Sequence, residues 1–143
     1  MQTAPIAEGE GIFRLIPQRP PSVMVDALFS VSESGAETGL FISSDNIFVS
    51  GGCLMEPGII EHVAQSAAAF AGYSQYLSGE EPKLGYIAEI KKFSIARLPL
   101  AGKSLRTRLQ VLGQAGNMSL ISAETFDAET EIASGQMKIF IKE

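Results

Sequence analysis

One cysteine and one histidine stand in 143 residues. That scarcity removes two classes of protein at once. Cys53 has no internal partner for a disulfide, so the chain fits a reducing compartment, and with His62 as the sole imidazole there is no zinc cluster of the usual kind. Basic residues are also few: Lys and Arg number 11 against 16 Asp and Glu, a formal charge of -5. A polyanion is repelled over most of such a surface, which argues against a nucleic-acid partner. Long apolar runs are missing too. The N-terminus has no basic region followed by an apolar signal segment, and the small-residue stretch from Ser66 to Gly72 is far short of a bilayer crossing, so the expectation is a cytoplasmic protein with no membrane partner.

What the chain does have is core material. With 45% hydrophobic residues, eight Phe and three Tyr, it can fold unaided as one domain without metal or disulfide staples. Residues 1–11 mix Gly, Pro and acids without a usable period and read as a loose lead-in; residues 12–143 read as the domain. Gly11 to Ile16 suits a short helical turn, halted by the prolines of Pro17-Gln-Arg-Pro-Pro21. Strand-like runs follow at Ser22 to Ser32 and Glu37 to Ser44, separated by a turn at Glu33-Ser-Gly-Ala36. From Asn46 to Gly58 there are too many breakers for a long element, and a loop is expected.

The one convincing helix is predicted from Pro57 to about Tyr76, with Pro57 suited to its first turn, Glu56 favourable at its positive end and Ser78-Gly79 as the stop. Its apolar residues occupy about half the wheel, and Ile60, Ala64, Ala67 and Ala71 are expected against a sheet. Glu61, His62, Gln65 and Ser66 fall inside an arc of about 140°. So many Ala and Gly neighbours imply close contact with other backbone, hence a largely buried helix whose polar strip lines something. Four more strand-like runs come after it: Leu84 to Ala96, Ser104 to Leu112, Met118 to Phe126 and Glu131 to Ile141. The last three, joined by short turns, should form an antiparallel meander. One helix is too few for a doubly wound sheet, so the economical layout is α+β, a curved antiparallel sheet wrapped around one central helix.

Leu15-Ile-Pro-Gln-Arg-Pro-Pro21 followed by Val23-Met-Val-Asp26 resembles the opening of hotdog-fold 3-hydroxyacyl-acyl-carrier-protein dehydratases, where a Leu-Pro-His-Arg-like stretch precedes an apolar pair and Asp. Glu61-His-Val-Ala-Gln65 resembles their Glu-x-x-Ala-Gln. Gln65-Ser-Ala-Ala-Ala-Phe-Ala-Gly-Tyr73 is similar to the aryl-polyene branch in particular. Gly85 to Phe93, Leu98-Pro-Leu-Ala-Gly102 and Ile132 to Phe140 fall in the family's order. The resemblance spans roughly residues 12 to 141 and rests on order and spacing. It implies the hotdog fold, an assembly of two hotdog subunits with sites between them, and a tunnel for an acyl chain on the phosphopantetheine of acyl carrier protein or coenzyme A, with no cofactor of the protein's own.

In that family a His in a Gly-His-Phe-Pro-like loop removes the α-proton while the helix carboxyl donates to the leaving hydroxyl. Here the loop reads Phe48-Val-Ser-Gly-Gly-Cys-Leu-Met-Glu-Pro-Gly58. It is shorter and contains no His; Gly52 stands at or near the base position, and Gln18 replaces the His of the opening stretch.

Each candidate has a functional and a structural reading. Glu61 is the expected catalytic acid, its carboxyl held protonated by desolvation, or else a paired structural Glu. Gln65, one turn on, orients that acid or a water, or satisfies buried backbone. His62 is the only imidazole but points about 100° from Glu61, so a hydrogen-bonded or partly exposed His bordering the substrate site is preferred to a base. Cys53 lacks an electropositive neighbour and suits a small apolar filler near the site better than a nucleophile. Gly51, Gly52 and Gly58 either let the loop approach a thioester, whose oxyanion the helix N-terminus would hold, or simply satisfy turns. Lys91, Lys92, Arg97 and Lys103 suit an acidic carrier protein, or a solvated strand edge, which is preferred. Three functions compete: a dehydratase subunit of fatty-acid or aryl-polyene type biosynthesis, as a homodimer or as the partner of a His-bearing hotdog subunit; a non-catalytic acyl-thioester binding module; and a hotdog acyl thioesterase acting through the helix carboxylate.

Overall fold

The computed structural model describes residues 4–142. Its nine strands in chain order are β1 Ala7–Glu8, β2 Ala27–Val31, β3 Gly35–Phe41, β4 Val49–Ser50, β5 Cys53–Leu54, β6 Gly85–Ile95, β7 Ser104–Ala115, β8 Met118–Asp127 and β9 Thr130–Ile141. A 3-10 helix, Gly9–Arg14, follows β1, and the α-helix α1, Glu56–Leu77, lies between β5 and β6. Seven strands form one sheet in the order β1-β2-β3-β7-β8-β9-β6, every neighbour antiparallel. The α+β hotdog layout, the helix and the β7-β8-β9 meander agree with the expectation from sequence. No helix of the described residues is long and apolar enough to cross a membrane.

In the N-terminal segment two sequence expectations are corrected. The lead-in is not loose: Ile6 donates to the Leu28 carbonyl at 2.7 Å, Gly9 donates to Asp26 at 2.9 Å, and Ile12 is fully buried, so the folded unit starts before residue 12. Met1 to Thr3 of that lead-in lie outside the described residues. The Ser22 to Ser32 strand begins only at Ala27. Residues 22 to 24 instead lie along α1, where side chains of the helix replace a strand neighbour as partners for their backbone: the Met24 N–H donates to Gln65 Oε1 (2.7 Å) and Gln65 Nε2 donates to the Ser22 carbonyl (2.8 Å).

The same approach of chain to helix explains Gly72. A Cβ there would overlap the carbonyl oxygen of Leu15, so the segment from Leu15 to Met24 runs along α1, touching it first at Gly72 and last at His62. Gly72→Ala should therefore lower stability by about 1 to 3 kcal/mol through overpacking against backbone that cannot step aside. An unchanged melting temperature would contradict that close contact.

Helix α1 starts without a side-chain cap, with Met55 in extended conformation, Glu56 in its first turn and Pro57 at the tolerated position. Its core-facing residues are not the predicted set. Ala67 is buried, but Ile60, Ala64 and Ala71 are only half-buried, while Ile59, Val63 and Ala69 are fully buried together with three polar residues, His62, Gln65 and Ser66.

Candidate functional site

The buried polar residues of α1 meet a row of threonines on the sheet. Thr38 of β3 pairs with Thr107 of β7, which pairs with Thr125 of β8, so the three stand side by side across adjacent strands. Each is at most 1% exposed. A carbonyl can only accept, so His62 Nδ1 carries the proton and donates to Met24 O at 2.7 Å. Nε2 must then accept from the Thr107 hydroxyl at 2.9 Å, which leaves Thr107 to accept from Thr125 at 2.8 Å. By the same reasoning Ser66 donates to the His62 carbonyl (2.7 Å) and accepts from Thr38 (2.7 Å). Every group in the chain is satisfied, and burial drives the His62 pKa down to about 4, against the opposing hydrogen bond to Met24. A neutral ring with both nitrogens engaged and no exposed surface is a structural member of the core; the partly exposed alternative and a place at the substrate are both corrected.

Gln65 carries this buried order outward to Glu61. Its Nε2 donates to Glu61 Oε1 at 3.0 Å while its own oxygen and its second N–H contact are fixed on Met24 and Ser22. Glu61 is half-buried, on the rim of a cavity of about 200 Å3 lined by Gln18, Ala64, Ala68, Gly85 to Ile87 and Ile139. One carboxylate oxygen is held by the amide, and the side chain lines a small chamber that mixes Ala64, Ala68, Ile87 and Ile139 with Gln18 and Tyr86. A second cavity, of about 540 Å3, adjoins it along the helix: Ile139 lines both, and Ala67, Phe70, Ala71, Tyr73 and Ile121 form its apolar wall. A carboxyl at the head of an apolar space is suited to proton transfer at the polar end of a chain-like ligand.

The loop before α1 does not reach this chamber. Val49–Ser50 and Cys53–Leu54 form a small hairpin whose turn, Gly51 and Gly52, has φ of 61° and 80°, the paired left-handed conformation that glycine takes without steric cost. Both glycines are exposed; the Gly52 carbonyl accepts from Ala101 at 2.9 Å, and half-buried Cys53 bridges to Leu100. Gly58 is buried, with Phe48 and Leu54 where a Cβ would sit, and its N–H donates to Met55. The expected single border of Glu61, Gln65 and this loop thus resolves into Glu61 at the cavity with Gln65 buried behind it, Gly52 and Cys53 against the Pro99 to Gly102 turn, exposed Gly51 at the hairpin tip, and Gly58 packed on Phe48 and Leu54. The Gly58 N–H, spent on Met55, is not offered to an oxyanion. Among the described residues no group of His, Cys, Asp and Glu could hold a metal ion.

The basic cluster divides as a strand edge does. Lys91 and Lys92 sit at an irregularity of β6, with Lys92 at φ 51°, and Arg97 pairs with Asp127 at 3.1 Å. Asp26, from the resemblance, stands outside the cavity: its carboxylate accepts the Phe41 N–H at 2.8 Å, and burial raises its pKa above the usual range against that hydrogen bond. Sequence reasoning missed the threonine row, because Thr is a common strand former and nothing local marks three of them as neighbours.

A family model described as ApeP-like, ApeP dehydratase, matches residues 11–143. Among solved structures the chain is similar to the dehydratase heterocomplex ApeI:P from Xenorhabdus doucetiae, with a TM-score of 0.86, 18% identity, and coverage of 99% of this chain and 93% of that one. It is similar also to an HP0420 homologue from Helicobacter felis (TM-score 0.70, 12% identity, coverage 100% and 93%) and to Cj0977 from Campylobacter jejuni (0.69, 12%, 92% and 88%). At these identities the likeness establishes the fold. No curated protein matches the sequence.

Proposed function

Because the chain belongs to the ApeP-like dehydratase family, we propose that it supplies the acid half of a 3-hydroxyacyl thioester dehydratase whose base comes from a second hotdog subunit. The observation that carries this reading is the separation of the two groups the reaction needs. Glu61 faces the cavity, whereas the chain's only imidazole is sealed in the core with both nitrogens bonded.

In the reaction the partner's base takes the α-proton, and the electron pair forms the C2–C3 double bond as the C3–O bond breaks. Glu61 gives its proton to the departing oxygen, which leaves as water. Gln65, bonded to Oε1, orients the carboxyl for that transfer. The acyl tail follows the apolar cavity past Ile139, and the thioester, on the pantetheine arm of a carrier protein or coenzyme A, lies toward the open side.

A place for the partner is available at the sheet edge. At one end of the sheet β1 has two residues, but at the other β6 runs for eleven and exposes Tyr86, Ile87 and Ile90, so its free backbone and apolar side chains suit pairing with another subunit. Gly85 to Ile87 of that strand also line the Glu61 cavity, so a partner paired on that edge would stand beside the chemistry. The ApeI:P structure is itself a heterocomplex of dehydratases, which supports a second hotdog subunit here.

The test is product analysis with the assembled pair, offered 3-hydroxyacyl and saturated acyl pantetheine thioesters. The 2-enoyl thioester and water should form from the first and nothing from the second. Free acid from both would identify a thioesterase instead, and binding without turnover a non-catalytic module.

A further inference from the structure

One side chain that lines the Glu61 cavity has no part in the acid half of the reaction. That side chain is Gln18, and Gln18 Oε1 is buried without a hydrogen-bond partner among the described residues. We propose that Gln18 reads the 3-hydroxyl of the substrate, accepting its O–H while Glu61 protonates the same oxygen. The inference rests on the dehydratase reading and adds to it a residue that selects the substrate.

The placement follows from how the chain is held. Leu15 lies on Gly72 and Ser22 on Gln65, so Gln18 between them passes over the turns of α1 that carry Ala68, Ala64 and Glu61. Arg19 fixes the intervening backbone, donating to the carbonyls of Ile16 (2.8 Å), Gln18 (2.7 Å) and Phe13 (2.9 Å). The backbone that carries the carboxamide is thereby positioned before any ligand arrives.

A buried carbonyl oxygen without a donor selects for a ligand that brings one. Of the groups near C3 in substrate and products, only the hydroxyl offers an O–H; a saturated chain and a 2-enoyl chain have only C–H there. Glu61 cannot make the distinction alone, since a protonated carboxyl donates and the hydroxyl oxygen accepts. Together the two side chains bracket one oxygen, a donor from Glu61 and an acceptor on Gln18. As the hydroxyl becomes water it keeps a hydrogen for Gln18, and the enoyl product that remains has none.

The full-length chain assembled with its His-bearing hotdog partner serves for the test, in a Glu61→Gln background so that no substrate is consumed. Calorimetry compares 3-hydroxyoctanoyl-pantetheine with octanoyl-pantetheine. Gln18 should favour the hydroxyl compound about tenfold, the worth of one net hydrogen bond. Gln18→Met should bring the ratio close to one with the saturated compound bound no less tightly, and Gln18→Glu, which keeps an acceptor, should retain a preference. Gln18→Ala repeats the comparison if Met disturbs folding. An unchanged ratio in both apolar variants, or no preference to begin with, overturns the proposal. So does loss of partner assembly in Gln18→Met with the ratio intact, which would assign the carbonyl's donor to the other subunit. Dehydration by the pair with wild-type Glu61 is measured separately, so failure of the selection and failure of the dehydratase reading are told apart.

Discussion

Glu61→Gln should reduce dehydration by the assembled pair about a hundredfold to ten-thousandfold, the range that a positioned general acid contributes. The substitution preserves shape and the ability to meet Gln65, so the loss would report the proton and not the packing. An amide has no proton to give the departing hydroxyl at neutral pH, and no second carboxyl among the described residues lines the chamber. Binding should persist, because the tail cavity and Gln18 are untouched; the effect belongs in kcat far more than in KM. A rate within a few-fold of wild type would remove Glu61 from the acid's role. Gln65→Leu should act through Glu61, lowering kcat with KM little changed, whereas loss of stability alone would make Gln65 a purely structural anchor.

Acid should destabilise the fold through His62. Its pKa is about 4 in the folded protein and near 6.5 when unfolded. Above pH 6.5 the ring is neutral in both states and its contribution is complete. As pH falls from 6.5 toward 4 only the unfolded chain takes up the proton, so roughly 3 kcal/mol of stability is lost across that window, and little more below it. Asp26 acts with the opposite sign, since a raised folded pKa favours the native state as that carboxyl becomes protonated. The clean measurement is therefore a difference: denaturant unfolding of wild type and of His62→Gln from pH 7 to pH 4. The glutamine keeps a donor for Met24 and an acceptor for Thr107 but does not titrate. The wild-type curve should fall more steeply, and parallel curves would mean that the ring is not sealed as described.

Much of this architecture was legible because it depends on local signals. Breakers bounded the helix to within a residue or two, and turn residues marked the β7-β8-β9 meander. What periodicity could not supply was the direction each helix face takes. The wheel sets apolar Ile60, Ala64 and Ala71 toward the sheet, yet the structure buries His62 and Ser66 there. Hydrogen bonding to Thr38 and Thr107 removes the usual penalty for polar burial, and those partners are 28 to 45 residues away in the chain. Glu61 and Gln65 were readable as a pair one turn apart. Gln18 was visible only as a departure from a resembling stretch, since its place over α1 depends on where Leu15 and Ser22 are anchored. The loop glycines misled for the converse reason: a Gly-Gly turn ahead of a helix looks the same whether it faces a ligand or, as here, packs toward another turn.

The division of labour between subunits is tested most directly by turnover of each component alone and mixed. The purified chain, a His-bearing hotdog subunit, and the two together are each given the same 3-hydroxyacyl-pantetheine thioester, with enoyl product followed over time. The chain by itself should form no enoyl product, and the mixture should exceed the sum of its parts, with Glu61→Gln in this chain returning it to that sum. Full dehydration by the chain as a pure homo-oligomer, undiminished in His62→Gln, would contradict the account, because the base would then have to come from this chain and from a residue other than its histidine.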